Sequence, residues 1–247
     1  MPHFFIKSTQ MNGNTIDIFD RENYHHIVRS LRSRTGENLL LIDENGVQYE
    51  TVITEITGVK ITVKIEKFYP SSRFLDFKLY LAQSPLHSDA QGIIIEKSTE
   101  LGVFGVYPVL TDNCTLNKTV IEKKISKWQK IMHESSKQCQ RAFEPVCFEV
   151  TTIDKLLADG SFDTVIVFCE RIAKKTMRDV FLKNPIKKGD KVLVIIGPEG
   201  GFSQKEFDLF QEKNLEMLTL GDLILRAETA VTVGLGNLIY EYSNFKR

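Results

Sequence analysis

Hydrophobic and polar residues alternate with two different periods along the chain. Up to about residue 70 the apolar runs are short, and VKITVKIEKF (residues 59–68) alternates apolar with polar residues. This period is typical of a strand half buried in an antiparallel sheet. ENG (44–46) and TG (57–58) separate the runs as hairpin turns do. The pattern predicts a small β-barrel, interrupted by one helix over residues 21–33. The predicted strands of the barrel are TIDIF, NLLLID, VQYETVITEI and VKITVKIEKF.

Beyond a predicted linker, YPSSRF (69–74), strand-like and helix-like segments alternate to the end of the chain. The predicted strands are FKLYLAQ, FGVYPVL, FDTVIVFCE, KVLVIIG and LEMLTLG. This order predicts two domains, residues 1–72 and 73–247, the second an α/β fold with a mostly parallel sheet covered by helices. Ligands of such sheets bind beyond the carboxyl ends of the strands. The turns after Cys169, Ile196 and Leu220 share that edge if their strands are neighbours.

A long helix is predicted over residues 118–141, with apolar residues on one stripe and many lysines elsewhere. The stripe contains Ile121, Ile125, Trp128, Met132 and Ser135, and the basic residues are Lys118, Lys123, Lys124, Lys127, Lys130, Lys137 and Arg141. Taken alone, the pattern favours a solvated helix face. The alternative is a surface whose lysines neutralise phosphates, extended by Arg29, Arg32 and Arg34.

Composition limits the classes of partner. Lys+Arg and Asp+Glu each total 32, so a polyanion would be bound by local basic patches only. The N-terminus lacks the apolar core of a secretion signal, and no apolar run approaches the ~18 residues that span a bilayer, so we expect a cytoplasmic protein. The four cysteines form no C-x-x-C pair and lie at no zinc-ligand spacing from a histidine. We therefore expect reduced, structural thiols and no metal site.

Two glycine-containing motifs carry most of the candidate chemistry. IIGPEGGFSQKE (195–206) runs from a strand through a glycine turn to Ser203-x-x-Glu206, the pattern of a helix capping box. It lacks the lysine of a phosphate-binding loop. LTLGDLILRAETAVTVGLGNLIY (218–240) places Arg226 and Glu228 where a helix begins, as a local ion pair or cap or as functional groups. Small residues in that helix predict the close approach of another backbone, from a dimer partner or a threaded segment: Ala227, Ala230, Gly234 and Gly236.

Together with EKSTELGV (96–103) and QCQR (138–141), these motifs closely resemble the RsmE family, 16S ribosomal RNA methyltransferases of the SPOUT superfamily. The resemblance covers the whole chain, since HHIVRSLRSRTGENLLLID (25–43) is similar to the signature of the family's N-terminal PUA-like β-barrel. It implies S-adenosylmethionine-dependent methylation of uridine N3, a C-terminal trefoil knot that holds the cofactor, and a homodimer acting on 16S rRNA or the 30S subunit. Periodicity alone does not predict a knot, because knots are nearly absent from known folds.

Carried over residue by residue, the resemblance also implies a site. The first cofactor loop is Gly197, Pro198, Glu199, Gly200 and Gly201, preceded by Ile196. The second cofactor loop contains Leu220, Gly221, Ile224, Leu225 and Arg226. Cys169 and Glu170 are expected to form a third side. Arg226 is the predicted catalytic residue, Glu228 a weaker candidate for the base, and the predicted RNA contacts are Arg29, Arg32, Lys127, Gln138 and Arg141.

Three departures from the family's pattern remove expected basic residues. A segment resembling KGDK is replaced by His87, Ser88, Asp89 and Ala90. Asp222 and Leu223 occupy positions where members often carry Pro or Lys and then Arg, and position 3 is His3 instead of arginine. The basic helix and the arginines of the first domain are therefore the favoured RNA contacts.

Two other classes of function stay open from the residues alone. A nucleotide- or dinucleotide-binding enzyme would use a glycine turn after a strand, with Asp222 as its ribose-binding acid. The glycine spacing and the ILRAETA block argue against this class. A non-catalytic RNA-binding protein would use the barrel and the basic helix but would have no need of the glycine loops.

Overall fold

The structure is a computed structural model that describes residues 3–71, 75–158, 160–169 and 173–245. The chain divides into two compact units. The first contains residues 1–74 together with Ser136–Glu144, and the second contains Leu75–Ser135 and Pro145–Arg247. The predicted border at residues 72–73 lies outside the described residues. The return of Ser136–Glu144 to the first unit was not predicted from the sequence.

The first unit is built on a mixed sheet, of which the described part has six strands in the order β1-β4-β5-β6-β3-β2. The strands are β1 His3–Phe5, β2 Met11–Asn12, β3 Thr15–Ile18, β4 Asn38–Ile42, β5 Val47–Ile56 and β6 Ile61–Pro70. All pairs are antiparallel except β1 with β4. The four strands predicted from the alternation are confirmed, and β1 and β2 are too short for a period to be recognised.

In the first unit, the carboxylate of Asp43 stabilises the predicted ENG turn. The ENG turn joins β4 to β5, where Asp43 Oδ1 accepts the backbone N–H groups of Asn45 and Val47 at 2.9 Å each. Gly46 has a φ of 75°, a conformation that is disfavoured for residues with a side chain.

The helix predicted over residues 21–33 is shorter in the structure. Helix α1 covers Arg21–His25, is capped by the Asp20 carboxylate, and continues as a π-helical turn over His26–Ser30.

The second unit contains a parallel sheet, with described strands in the order β10-β8-β7-β12-β11-β13 and β9 beside β8. Its strands are β7 Lys78–Gln83, β8 Gly105–Leu110, β9 Val146–Cys147, β10 Thr151–Thr152, β11 Thr164–Phe168, β12 Lys191–Ile196 and β13 Glu216–Leu218. Its helices are α2 Ser88–Glu100, α3 Lys118–Cys139, α4 Ile153–Leu156, α5 Met177–Lys183, α6 Gln204–Glu212 and α7 Ala227–Phe245. Every pairing is parallel, which confirms the predicted α/β arrangement.

Helices cover both faces of this sheet. Val192, Val194 and Ile196 pack with residues of α2, α3, α5 and α7, whereas Leu193 and Ile195 pack with α4 and α6. This is why β12 is an unbroken apolar run, since a strand between two helical layers has no polar face. The stripe predicted for α3 is confirmed as well: Ile121, Trp128, Met132 and Ser135 are buried and Ile125 is half-buried.

Some expectations about single residues are settled by the fold. All four cysteines are free. A Cβ added at Gly234 would lie 2.6 Å from the aromatic ring of Phe168, so the close neighbour of this glycine is a side chain of β11. Helix α5 begins only at Met177, because Lys175 forms a parallel bridge with Leu218 beside β13. Within the described ranges, no helix combines the length and apolar character needed to cross a membrane.

Candidate active site

A cavity of about 400 Å³ lies at the carboxyl ends of β11, β12 and β13. These strands are neighbours, and their registers place Phe168 beside both Ile196 and Leu218. The turns that follow them therefore meet at one edge of the sheet. The start of α7 completes the lining.

The cavity brings together most of the residues predicted from the two motifs. Those lining it are Cys169, Ile196, Gly197, Pro198, Glu199, Gly201, Leu220, Ile224, Leu225, Arg226 and Glu228. Gly200 and Gly221 belong to the same loops but are not lining residues. Glu170 lies outside the described residues.

Sequence reasoning missed the remaining lining residues. They are Ala90, Phe168, Phe202, Phe207, Leu218, Leu223, Ala227 and Ala230. Phe168 and Phe202 are the sequence neighbours of the predicted residues Cys169 and Gly201. This adjacency is the sequence signal that could have identified them. Ala90 comes from α2, and nothing in the local sequence connects it with the two loops.

Both cofactor loops depend on glycine geometry. In the first cofactor loop, the Gly201 N–H donates to the Pro198 carbonyl at 2.9 Å, and Gly201 has a φ of 71°. A Cβ added at Gly201 would meet no protein atom within 4 Å, so the space beside this residue is open. In the second cofactor loop, Gly221 has a φ of 125°, and the Thr219 hydroxyl accepts its N–H at 3.1 Å. Such backbone is disfavoured for residues with side chains.

The predicted capping box is present and starts α6 directly after the first cofactor loop. The Ser203 hydroxyl accepts the Glu206 N–H at 3.2 Å, and Glu206 Oε2 accepts the Ser203 N–H at 2.8 Å. Two N–H groups that a helix start would leave unpaired are thereby satisfied. The first cofactor loop therefore leads directly into a helix start that is stabilised by two hydrogen bonds.

Arg226 is exposed at the rim of the cavity, immediately before the first residue of α7. Its guanidinium forms no hydrogen bond or ion pair with any residue in the described part of the chain, so the local pair with Glu228 is not formed. Glu228 is half-buried in the first turn of α7, where a carboxylate is favoured by the helix dipole. Arg226 and Glu228 therefore line the cavity without pairing with each other.

The residues present fit the S-adenosylmethionine implied by the family resemblance. The volume falls within the roughly 300–1,000 Å³ of small-molecule sites. Phe168, Leu220 and Ile224 supply apolar surface for an adenine ring, and the open glycine backbone admits close approach. No lysine is among the described residues that line the cavity.

The predicted RNA contacts differ in exposure. Arg29 and Arg32 in the first unit are exposed, and Arg32 has a φ of 55°. Lys127 and Gln138 on α3 are exposed as well. Arg141 is only 7% exposed: its Nε donates to the Phe143 carbonyl at 3.2 Å, and burial lowers its pKa to about 10. The expectation for Arg141 therefore has to be corrected, because its guanidinium is not presented to solvent.

The sequence matches two known domain families. Residues 74–239 match the RNA methyltransferase domain, and residues 19–66 match the RNA methyltransferase PUA domain. Two relatives are each named ribosomal RNA small subunit methyltransferase E. The one from Bacillus subtilis is 27% identical over 98% of this chain and 97% of its own length. The one from Aquifex aeolicus is 33% identical over 93% of this chain and 95% of its own length.

Two solved structures are similar over almost the whole chain. One is a ribosomal RNA small subunit methyltransferase E from Neisseria gonorrhoeae bound to S-adenosyl methionine, with 25% identity, a TM-score of 0.82 and 97% of both chains covered. The other is a putative methyltransferase from Legionella pneumophila in complex with the same cofactor, with 26% identity, a TM-score of 0.83 and 96% of both chains covered. The fold and the presence of both units are thus shared with proteins that bind this cofactor.

Proposed function

Since the chain belongs to the ribosomal RNA small subunit methyltransferase E family, we propose that it transfers a methyl group from S-adenosylmethionine to N3 of one uridine in 16S rRNA. The observation that carries this proposal is that the loops after β11, β12 and β13 meet around one cavity. Its lining contains the residues that match the family's two cofactor loops. The proposed substrate is 16S rRNA, free or within the 30S subunit, which would place the enzyme in the cytoplasm.

The chain's own residues would hold the cofactor from three sides. The first cofactor loop offers backbone groups beside Gly197 and Gly201, the second offers the apolar side chains of Leu220 and Ile224, and Cys169 closes the third side. When bound, S-adenosylmethionine supplies a methyl group that is activated by its positive sulfur. Orientation of the two reactants can then supply much of the acceleration.

The proton on uridine N3 determines the remaining chemistry. N3 is protonated at neutral pH, so the proton has to leave before or during attack. A positive charge beside the uracil oxygens stabilises the anionic ring, and Arg226 is an exposed cation at the cavity rim. We assign this role to Arg226. Glu228, half-buried in the same lining, is the candidate proton acceptor.

The finer architecture is also part of the proposal. We propose residues 1–72 as a PUA-like RNA-binding barrel and residues 73–247 as a knotted catalytic domain that works as a homodimer. The exposed apolar residues Leu223, Ile224 and Tyr240 support a partner surface, since their side chains are 78%, 75% and 64% exposed. The cavity therefore has an apolar rim that a second copy would cover.

The position of Asp222 argues against the dinucleotide-binding alternative. Asp222 is exposed and is not among the residues that line the cavity. An acid that recognises ribose has to reach the ligand. Calorimetry with NAD and with S-adenosylmethionine separates the two classes, and we expect heat only with the second ligand.

Exposed basic residues are expected to make RNA binding dependent on salt. Lys123, Lys127 and Lys130 follow one solvent-facing stripe of α3, opposite its buried stripe. Each phosphate contact contributes about 0.7 to 0.9 to the slope of log affinity against log salt. Changing these three lysines to glutamine should lower the slope by about 2 units if all three contact phosphates. The measurement is a filter-binding series with 16S rRNA fragments between low and moderate salt.

The matched control is Lys213→Gln, which removes an exposed lysine at the end of α6. It should leave the slope unchanged. Arg29→Gln and Arg32→Gln test the first unit in the same assay. Binding that does not respond to salt in the unmodified protein would contradict the assignment of both surfaces.

The proposed function is tested by mapping 16S rRNA from a strain in which the gene has been deleted. We expect one N3-methyluridine to be missing and to be restored when that rRNA, or its 30S subunit, is incubated with the purified protein and S-adenosylmethionine. An unchanged modification map in the deletion strain would overturn the proposal.

A further inference from the structure

The loop that follows β8 contacts the first cofactor loop, although the two are far apart in sequence. Asn113 Nδ2 donates to the Gly200 carbonyl at 3.3 Å and to the Gly201 carbonyl at 3.0 Å, across separations of 87 and 88 residues. One amide group therefore holds two consecutive carbonyls of the turn. Gly201 lines the cavity and Gly200 does not.

The packing at this contact gives Gly200 a specific reason to be glycine. A Cβ added at Gly200 would lie 3.1 Å from the Cβ of Asn113, which is closer than ordinary van der Waals contact. Gly200 has no positive φ, so its backbone conformation alone does not require glycine. The absence of a side chain instead allows Asn113 to approach the turn.

The neighbouring residue makes a second attachment just beyond the turn. Asp112 Oδ2 accepts the Ser203 hydroxyl at 2.6 Å, and the Asp112 N–H donates to Glu206 Oε1 at 3.1 Å. Ser203 and Glu206 form the capping box of α6, and Glu206 is 8% exposed. The β8 loop is thus bonded both to the turn and to the helix start that follows it.

We propose that Asn113 is a positioning residue for the cofactor, acting through the peptide groups of Gly200 and Gly201. This inference rests on the proposed function, because it concerns the same cavity. Asn113 is not a lining residue, so its effect passes through the loop. Its two hydrogen bonds fix the orientation of the peptides at one side of the cavity, which reduces the ordering that ligand binding would otherwise require.

The location of Asn113 distinguishes this role from a general structural one. Asn113 is exposed and belongs to none of the three hydrophobic clusters. Its two hydrogen bonds go to loop carbonyls and to no helix or strand. Their loss should therefore appear in cofactor affinity and leave the folding of the sheet and its helices almost unchanged.

The experiment compares the full-length protein with Asn113→Ala by calorimetry with S-adenosylmethionine. We expect the dissociation constant to rise about tenfold, consistent with the loss of two such bonds. The KM for the cofactor should rise in parallel, while kcat at saturating cofactor and the affinity for 16S rRNA change by less than about threefold. Asn113→Asp keeps the Cβ contact but has no donor, so it should bind as weakly as the alanine variant. Asn113→Gln, which retains an amide, should recover part of the affinity.

Asn117→Ala is the matched control in the same connection. Asn117 is exposed, and its Oδ1 accepts the Val120 N–H at 3.0 Å at the start of α3. Its loss should lower the thermal midpoint slightly and leave cofactor affinity unchanged.

The outcomes separate the two proposals. If the unmodified protein binds S-adenosylmethionine and Asn113→Ala binds equally well, the positioning role is overturned and the proposed function stands. A loss of affinity in Asn113→Ala that is matched by a large fall in thermal midpoint and in RNA affinity would also overturn it, in favour of a structural role. If the unmodified protein does not bind the cofactor, the proposed function fails and this inference fails with it.

Discussion

Replacement of Arg226 by alanine is expected to lower the rate of methyl transfer by about 100-fold or more, the loss typical of removing one charge-stabilising donor. Arg226 is exposed at the rim of the cavity and has no ion-pair partner in the described ranges. Its charge is therefore available to stabilise the uracil anion. The dissociation constant for S-adenosylmethionine should stay within a few-fold. Single-turnover rates with 16S rRNA, together with calorimetry of the cofactor, measure the two quantities.

Two variants control this experiment. Arg226→Lys keeps a positive charge but loses the planar fork, so its rate should fall between those of the unmodified protein and the alanine variant. Arg178→Ala removes an exposed arginine of α5 that is not a lining residue, and it should have no effect on the rate. Unchanged turnover in Arg226→Ala would contradict the assigned role.

Gly234→Ala should destabilise the second unit even though alanine is normally the better helix residue. The added Cβ would lie 2.6 Å from the Phe168 ring, so the ring has to move. Overpacking of this kind costs about 1–3 kcal/mol in the free energy of unfolding. Phe168 also lines the cavity, so cofactor affinity should fall as well. Urea denaturation and calorimetry on the same preparation test both parts.

Gly92→Ala is the matched control for this change. Gly92 lies inside α2, and a Cβ there would meet no atom within 4 Å. This substitution should stabilise the protein by up to about 1 kcal/mol, the difference in helix propensity. If Gly234→Ala stabilised the protein to the same extent, the packing of α7 against Phe168 would be contradicted.

Hydrophobic periodicity predicted the elements that are long enough to display a period. Strand β5 coincides with the predicted segment VQYETVITEI, and β12 was recognisable as a buried run after which a glycine turn begins. The two-residue strands β9 and β10 and the four-residue helix α4 contain too few positions for a period to appear. The places of β9 and β10 are determined by pairing with β8, which no local pattern encodes.

The candidate site was predictable only where its residues are contiguous. The two loops stood out because glycines follow apolar strands, and the family resemblance then related them to one cofactor. Ala90 and Asn113 reach the cavity or its loop from other elements, through packing and hydrogen bonds that depend on the strand order. Arg141 shows the opposite case: it was predicted as part of the basic helix, but it lies just beyond the end of α3 and is buried beside Phe143.

Transfer of an isotopically labelled methyl group to a defined atom of rRNA tests the proposed function most directly. The purified protein would be incubated with 16S rRNA that lacks the modification and with S-adenosylmethionine carrying a deuterated methyl group. Digestion to nucleosides and mass spectrometry would then locate the label. We predict deuterated N3-methyluridine at one position of the rRNA. Label on another atom of the base or on a ribose oxygen, or no label in the RNA, would contradict the account.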